Sequence, residues 1–201
     1  MTGEAPGTTI EFARRLKHRN ALVAVAFGGL FTAASAWASP PGPGRALLGF
    51  LLGLLYANVF EYALHRFALH AQEGFLPEKH GLHHSTWGTA EEPLYVNFAR
   101  SPWVVVLLIA ANAVPVAALE LLWHPDIAPG VLAAFTLYFV VFEEIHWRIH
   151  MGGLPGWLGF SRRHHLAHHA GAPGRFNVWL PLCDWLAGSL HRLRAGRSTT
   201  N

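Results

Sequence analysis

Ten of the fourteen histidines in this chain fall into four spaced groups. His65 and His70 form H-x4-H, and His80, His83 and His84 form H-x2-HH. His146 and His150 form H-x3-H, and His165, His168 and His169 repeat the H-x2-HH pattern. Neutral imidazole is a ligand for zinc, copper, iron and nickel. Ten such nitrogens exceed what one ion accepts and suit two ions with about five each. Residues at i, i+3 and i+4 share a helix face, so each H-x2-HH is expected to offer its imidazoles to one locus. His65 and His70 lie about 140° apart on an ideal helix, which predicts either ligation of separate ions or a distorted helix between them. His18, His124, His164 and His191 stand outside the pattern. His164 is an alternative to His165, because it too precedes His168 by one turn. His165 is preferred because it reproduces the first triplet.

The order of these groups repeats. Phe60-Glu61 leads to His65-Arg66, and Phe142-Glu143 leads to His146-Trp147-Arg148; in both halves an H-x2-HH follows. Two related half-sites are therefore expected. Glu61 and Glu143 precede their histidines by about one turn. Each is expected to accept the outer N–H of a ligating imidazole, a common support for metal-bound histidine. Asn177, after the last group, is a further candidate for this supporting role. Zinc has no redox chemistry, and four ligands suffice for a structural zinc site. Two ions with open positions fit oxygen activation better. That points to iron, with zinc possible as a bound species.

These groups need elements to carry them. The chain is 52% hydrophobic and 13% charged, against roughly 25% charged residues in soluble domains. Four apolar segments predict an all-α integral membrane protein with spans at about 21–38, 46–63, 102–122 and 128–145. They form two hairpins closed by the turn-rich Ser39–Gly44 and His124–Gly130 stretches. Residues 1–20 read as a cytosolic N-terminal segment and residues 21–201 as a single domain. Fourteen of the fifteen Lys and Arg residues fall on one side of this arrangement, and only Arg45 on the other. The positive-inside rule then puts both termini and a histidine-rich helical cap in the cytosol. Trp87, Trp103, Trp157, Trp179 and Trp185 fall near that boundary, as an interfacial belt does. The single cysteine, Cys183, excludes internal disulfides and cysteine clusters. The basic residues flank spans rather than forming a stripe, which argues against nucleic-acid binding.

The motifs resemble those of the fatty acid hydroxylase superfamily, which includes sterol desaturases, carotenoid ring hydroxylases and fatty-acid 2-hydroxylases. The stretch from Glu61 to His70, EYALHRFALH, is especially similar to the first histidine box of the fatty-acid 2-hydroxylases. The resemblance runs from about Leu48 to Gly188, with Asp184–Ser189 similar to the family's closing motif. It implies O2-dependent hydroxylation of an unactivated C–H in a lipid: a fatty acyl chain, sphingolipid, sterol or carotenoid. It implies two iron ions as cofactors. Lipid desaturation on the same scaffold is one alternative, and a membrane metal-binding or transport protein is another. About twenty residues precede the first span, too few for a fused cytochrome domain. A separate electron donor is therefore expected: a b-type cytochrome, ferredoxin or rubredoxin docking on the basic surface around Arg162, Arg163, Arg175, Arg192, Arg194 and Arg197. The expected location is the bacterial inner membrane, or the endoplasmic reticulum for a eukaryotic chain.

Overall fold

The computed structural model describes residues 6–189. His191, Arg192, Arg194 and Arg197 lie outside the described residues. The described residues form helices and no strands: α1 (Pro6–Ala38), α2 (Pro43–Ala63), α3 (Phe75–Ser85), α4 (Pro102–Trp123), α5 (Ala128–Met151), α6 (Gly159–His169) and the short α7 (Leu182–Leu186). A π-helical turn, Leu64–Leu69, extends α2. Four segments are long and apolar enough to cross a membrane: Gly7–Ala38, Pro43–Leu69, Pro102–Trp123 and Ala128–Met151.

Two ends differ from the expected spans. α1 begins at Pro6 rather than near Ala21. Proline suits a first helical turn, where its missing N–H costs nothing. No breaker follows until Ser39-Pro40, so the polar stretch stays helical, with Arg15 and Glu11 paired at 3.3 Å on its exposed face. α5 runs on past Glu143 through His146 and His150. It stops at Gly152 and Gly153, which adopt φ of 92° and 81°, a conformation glycine takes without a steric penalty.

The described chain divides into two compact units. One comprises Glu11–Ala57 and Asn97–Glu143. Its centre is α5, whose apolar window is 61% buried, against 11% for α1. α2 reaches α5 through a seam without side chains. Gly49 and Gly53 are four apart on α2, the small-xxx-small spacing that lets helix backbones approach closely. A Cβ on Gly49 would sit 2.2 Å from the Ile127 carbonyl oxygen, and one on Gly130 would sit 2.4 Å from that of Ala46. At the same end of the bundle, Glu120 accepts the amides of Asp126, Ile127 and Ala128 at 2.8, 3.2 and 3.0 Å. One carboxylate thereby satisfies donors that the start of α5 would otherwise leave orphaned.

The glycine seam gives a direct test. Gly130→Val places methyl groups against backbone that cannot rotate away, and should cost about 3 kcal/mol or more. Gly29→Val is the control, because nothing lies within 4 Å of a Cβ there. Thermal unfolding in detergent should separate the two variants widely. Equal melting temperatures would refute close backbone packing at this seam.

The other unit contains Asn58–Val96 and the described chain from Glu144 onward. It holds the π-turn, α3, the last turns of α5, α6 and α7, and with them all ten patterned histidines.

Candidate metal centre

The ten histidines collect into two groups of five. His65, His70, His80, His84 and His168 form one, and His83, His146, His150, His165 and His169 form the other. Within each group the nearest ring nitrogens lie within 4.8 Å of one another.

Local structure explains the first pair. An ordinary α-helix would point His65 and His70 apart, but the i→i+5 turn of a π-helix brings residues five apart onto neighbouring positions. Their rings stack at 5.1 Å with 21° between planes. Of the two expectations for this pair, the distorted helix is the one observed, and both residues join the same group. On α5 the ordinary one-turn spacing suffices for His146 and His150.

The triplets depart from the spacing argument. His80 and His84 join the first group, whereas His83, between them on α3, joins the second. On α6, His165 and His169 join the second group and His168 crosses to the first. The reason lies in helix geometry. Residue i+4 sits about 40° to one side of residue i, and i+3 about 60° to the other. One face is thus broad enough to straddle two loci. Each half of the chain supplies four imidazoles to its own group and one to its neighbour.

The contacts inside each group have the geometry of a coordination shell. The Nε2 of His80 lies 3.0, 3.1 and 3.0 Å from the Nε2 atoms of His65, His70 and His84. The Nε2 of His165 lies 3.0, 3.0 and 3.1 Å from those of His146, His150 and His169. An imidazole nitrogen carries one proton or one lone pair, so it cannot bond three others at once. Ligands about 2.0–2.1 Å from an ion and at right angles to one another lie about 2.9 Å apart, close to these separations. The donor set therefore fits one ion per group. The crossing nitrogens complete the sets: His168 Nε2 lies 3.0 Å from His70 Nε2, and His83 Nε2 lies 3.2 Å from His146 Nε2.

The outer nitrogens fix the tautomers. His65 Nδ1 faces the Phe176 carbonyl oxygen at 2.5 Å, and His168 Nδ1 faces that of Gly174 at 3.0 Å. His146 donates to the Val96 carbonyl. His150 Nδ1 lies 2.7 Å from Glu92 Oε1. A proton held on Nδ1 leaves the Nε2 lone pair turned inward.

Glu92 is thus a carboxylate set against a patterned histidine, and it is buried within a short 3-10 turn. Sequence spacing pointed to Glu61 and Glu143 instead. Glu61 accepts Asn177 Nδ2 at 3.1 Å and the Val178 amide at 2.5 Å. It holds the segment whose Phe176 carbonyl meets His65, one step further out than expected. Glu143 accepts the Phe98 amide at 2.7 Å. Asn177 also bonds the Asn58 carbonyl at 3.0 Å, so its amide group ties the end of α2 to the 176–178 loop.

Asp184 anchors that loop from the other side. Its carboxylate accepts the amides of Phe176 and Asn177 at 3.0 and 2.8 Å and the Ser189 hydroxyl at 2.7 Å. It also meets His164 Nε2 at 2.9 Å. Burial alone would raise its pKa, but these four partners outweigh it and hold the carboxyl below its usual range. His164 therefore faces Asp184, while His165 is the residue that enters a group.

Both groups favour neutral imidazole. Burial first, and then the neighbouring rings, push His80 and His169 down to about 2. The same causes take His84 and His168 to about 4, and hold His83 and His165 well below the ordinary value. Neutral imidazoles with inward lone pairs are the state that ligates a metal.

No curated protein matches this chain. The profile of the family described as fatty acid hydroxylase matches residues 50–189, more than two thirds of the chain. Among solved structures, the chain is similar to full-length Scs7p, of which only the hydroxylase domain is visible, with a TM-score of 0.57 and 18% identity. The match covers 83% of this chain and 62% of that one, so this chain spans less than two thirds of the other's length. At that identity the likeness speaks for the fold. The family match covers every histidine of both groups, and the chain belongs to the fatty acid hydroxylase family.

Proposed function

We propose that each group of five imidazoles holds one iron ion and that the protein hydroxylates an unactivated C–H bond of a lipid. The carrying observation is the pair of five-nitrogen sets, each matched to a single ion. Iron bound there supplies the redox chemistry for O2 activation that zinc lacks. The chain's own part is to orient and enclose. Phe176, Gly174, Val96 and Glu92 fix the direction of four imidazoles. His83, His146 and His165 are buried and shield one side of their group from water. The substrate class is an acyl chain, sphingolipid, sterol or carotenoid, in keeping with four membrane-length helices. Metal analysis of purified protein should find two ions per chain. Cells expressing it should accumulate a lipid carrying one added oxygen. A new double bond instead would favour desaturation, and an unchanged lipid profile with metal bound would favour a binding or transport role.

The histidine groups face the cytosol on this reading, because fourteen of fifteen basic residues lie on that side of the spans. The membrane on this reading is the inner membrane of a bacterium, or the endoplasmic reticulum for a eukaryotic chain. Labelling of cysteines placed beside His84 and His168 from opposite membrane faces would reject the cytosolic placement.

Hydroxylation consumes O2, two electrons and two protons for each hydroxyl formed, with water as the second product. We assign the electrons to a separate acidic donor, a b-type cytochrome, ferredoxin or rubredoxin. Arg162 and Arg163 are exposed on α6 and offer it a basic surface. Together with Arg192, Arg194 and Arg197 they would speed encounter in a salt-sensitive way. Replacing those last three with Gln should slow donor-dependent turnover by about two- to tenfold at low salt, with metal content intact. Turnover equal to wild type at low salt would eliminate the patch.

The pH dependence follows from the depressed imidazole pKa values. Unfolded histidine titrates near 6.5, whereas His84 and His168 titrate near 4 in the fold. Between those values the unfolded chain binds more protons, so stability present above 6.5 is lost as pH falls toward 4. Protons also compete with metal for the same nitrogens. Metal retained at about pH 7 should be released as pH falls below about 4, where His84 and His168 take up protons. Full retention there would contradict histidine ligation.

A further inference from the structure

The two groups differ in their access to water. The His65 group lines a cavity of about 770 Å³, formed by the chain from Leu69 through the first turns of α3. Three of its five members, His70, His80 and His84, form part of the cavity wall, whereas the His165 group contributes none. His70 is exposed, and His80 and His84 are half-buried. His65 and His168 are buried. In the other group His165 is 0% exposed, His83 4% and His146 8%, His150 and His169 are half-buried, and none is exposed.

The rest of the wall mixes apolar Leu69, Ala71, Phe75 and Pro77 with polar side chains at its mouth that attract a hydrated cation. Gln72, Glu73 and Glu78 line the cavity beside the imidazoles, and all three are exposed. Glu78 pairs with Lys79 at 3.4 Å on the open face. Carboxylates and an amide are poor company for an acyl chain, since their desolvation is costly. They attract a divalent ion and leave it partly hydrated until imidazoles replace its water.

We infer that the two ions are inequivalent: the ion of the His65 group exchanges with solution through this cavity, and the ion of the His165 group is enclosed. The inference rests on the reading that each group holds one ion. The ligand class taken by the cavity is a free divalent cation, with the water-soluble chelators that compete for it. Release of the enclosed ion waits on local opening of the helices around it, whereas the other ion already has an aqueous path.

The test uses the whole protein in detergent at neutral pH, loaded with zinc as the probe ion and mixed with an excess of a colour-forming chelator. Two ions per chain should leave in two equal phases, the first faster by about tenfold or more, because the second requires local unfolding. His70→Gln should abolish or accelerate the fast phase and leave the slow phase as it was. A second route avoids altering any ligand. Glu73→Gln with Glu78→Gln should slow rebinding of the first-released ion by about two- to tenfold at low salt. High salt should remove that difference. A single phase releasing both ions together would overturn the inference. So would a change confined to the slow phase in His70→Gln, or wild-type rebinding in the rim variant at low salt. Fewer than two bound ions at the outset would instead defeat the two-ion reading itself.

Discussion

Replacing His83 with alanine is expected to empty the metal group that lies on the other half of the chain. His83 sits between His80 and His84 on α3, yet its Nε2 lies 3.2 Å from that of His146. The variant should hold one ion rather than two, and the ion it retains should be that of the His65 group. Activity should fall by at least about a hundredfold, because even the loss of an outer partner of a metal ligand commonly costs 10–100-fold. His168→Ala is the mirror experiment and should spare the ion of the His165 group. Metal counting combined with the chelator kinetics above reads both outcomes. If His83→Ala instead removed the rapidly exchanging ion, the crossed assignment of the triplets would be wrong.

The second large effect is expected at Asp184, which touches no metal-facing nitrogen. Its carboxylate is 0% exposed and gathers two backbone amides, the Ser189 hydroxyl and His164. Asp184→Ala removes the acceptor for the two amides and His164, while the Ser189 hydroxyl keeps the Asp184 carbonyl oxygen at 2.9 Å. Leaving a buried donor without its acceptor typically costs about 1–3 kcal/mol. The damage should spread to the histidines, because Phe176 is held by Asp184 through its amide and holds His65 through its carbonyl. A clear drop in melting temperature and weakened metal binding are the expected readouts. Asp184→Asn keeps one acceptor oxygen and should recover part of both. An alanine variant as stable as wild type would show that Ser189 and the 176–178 loop are anchored elsewhere.

Much of this architecture was legible in the residues alone, for identifiable reasons. Apolar length marked four long helices, because a membrane-length run cannot be hidden among polar neighbours. Two H-x2-HH triplets, each after a spaced pair, marked the histidine clusters. The partition of each triplet was not legible. Spacing says which residues share a face, but not which neighbour that face meets, and His83 differs from His84 only by 100° of rotation. Glu92 was hidden for a similar reason. It lies 58 residues before His150 in the chain and reaches it at 2.7 Å only once the helices have packed. Glu61 and Glu143 looked better placed because one-turn neighbours are the contacts a sequence displays. In the structure Glu61 accepts the Val178 amide and Glu143 the Phe98 amide. The helical start at Pro6 was obscured by polar composition, which lowers hydropathy without opposing a helix.

The exchange of one histidine between the halves also sets an order in time. A chain is made from its N-terminus, and domains made this way fold as units as they emerge. The first hairpin and α3 deliver His65, His70, His80 and His84 early, but the fifth donor of that group, His168, is nearly the last patterned histidine to be synthesised. The second group has its crossing donor, His83, waiting from early on, and lacks the other four until α5 and α6 are made. Both coordination shells therefore close on the arrival of the same helix, α6. Neither ion can be fully caged on a nascent chain that stops short of that helix.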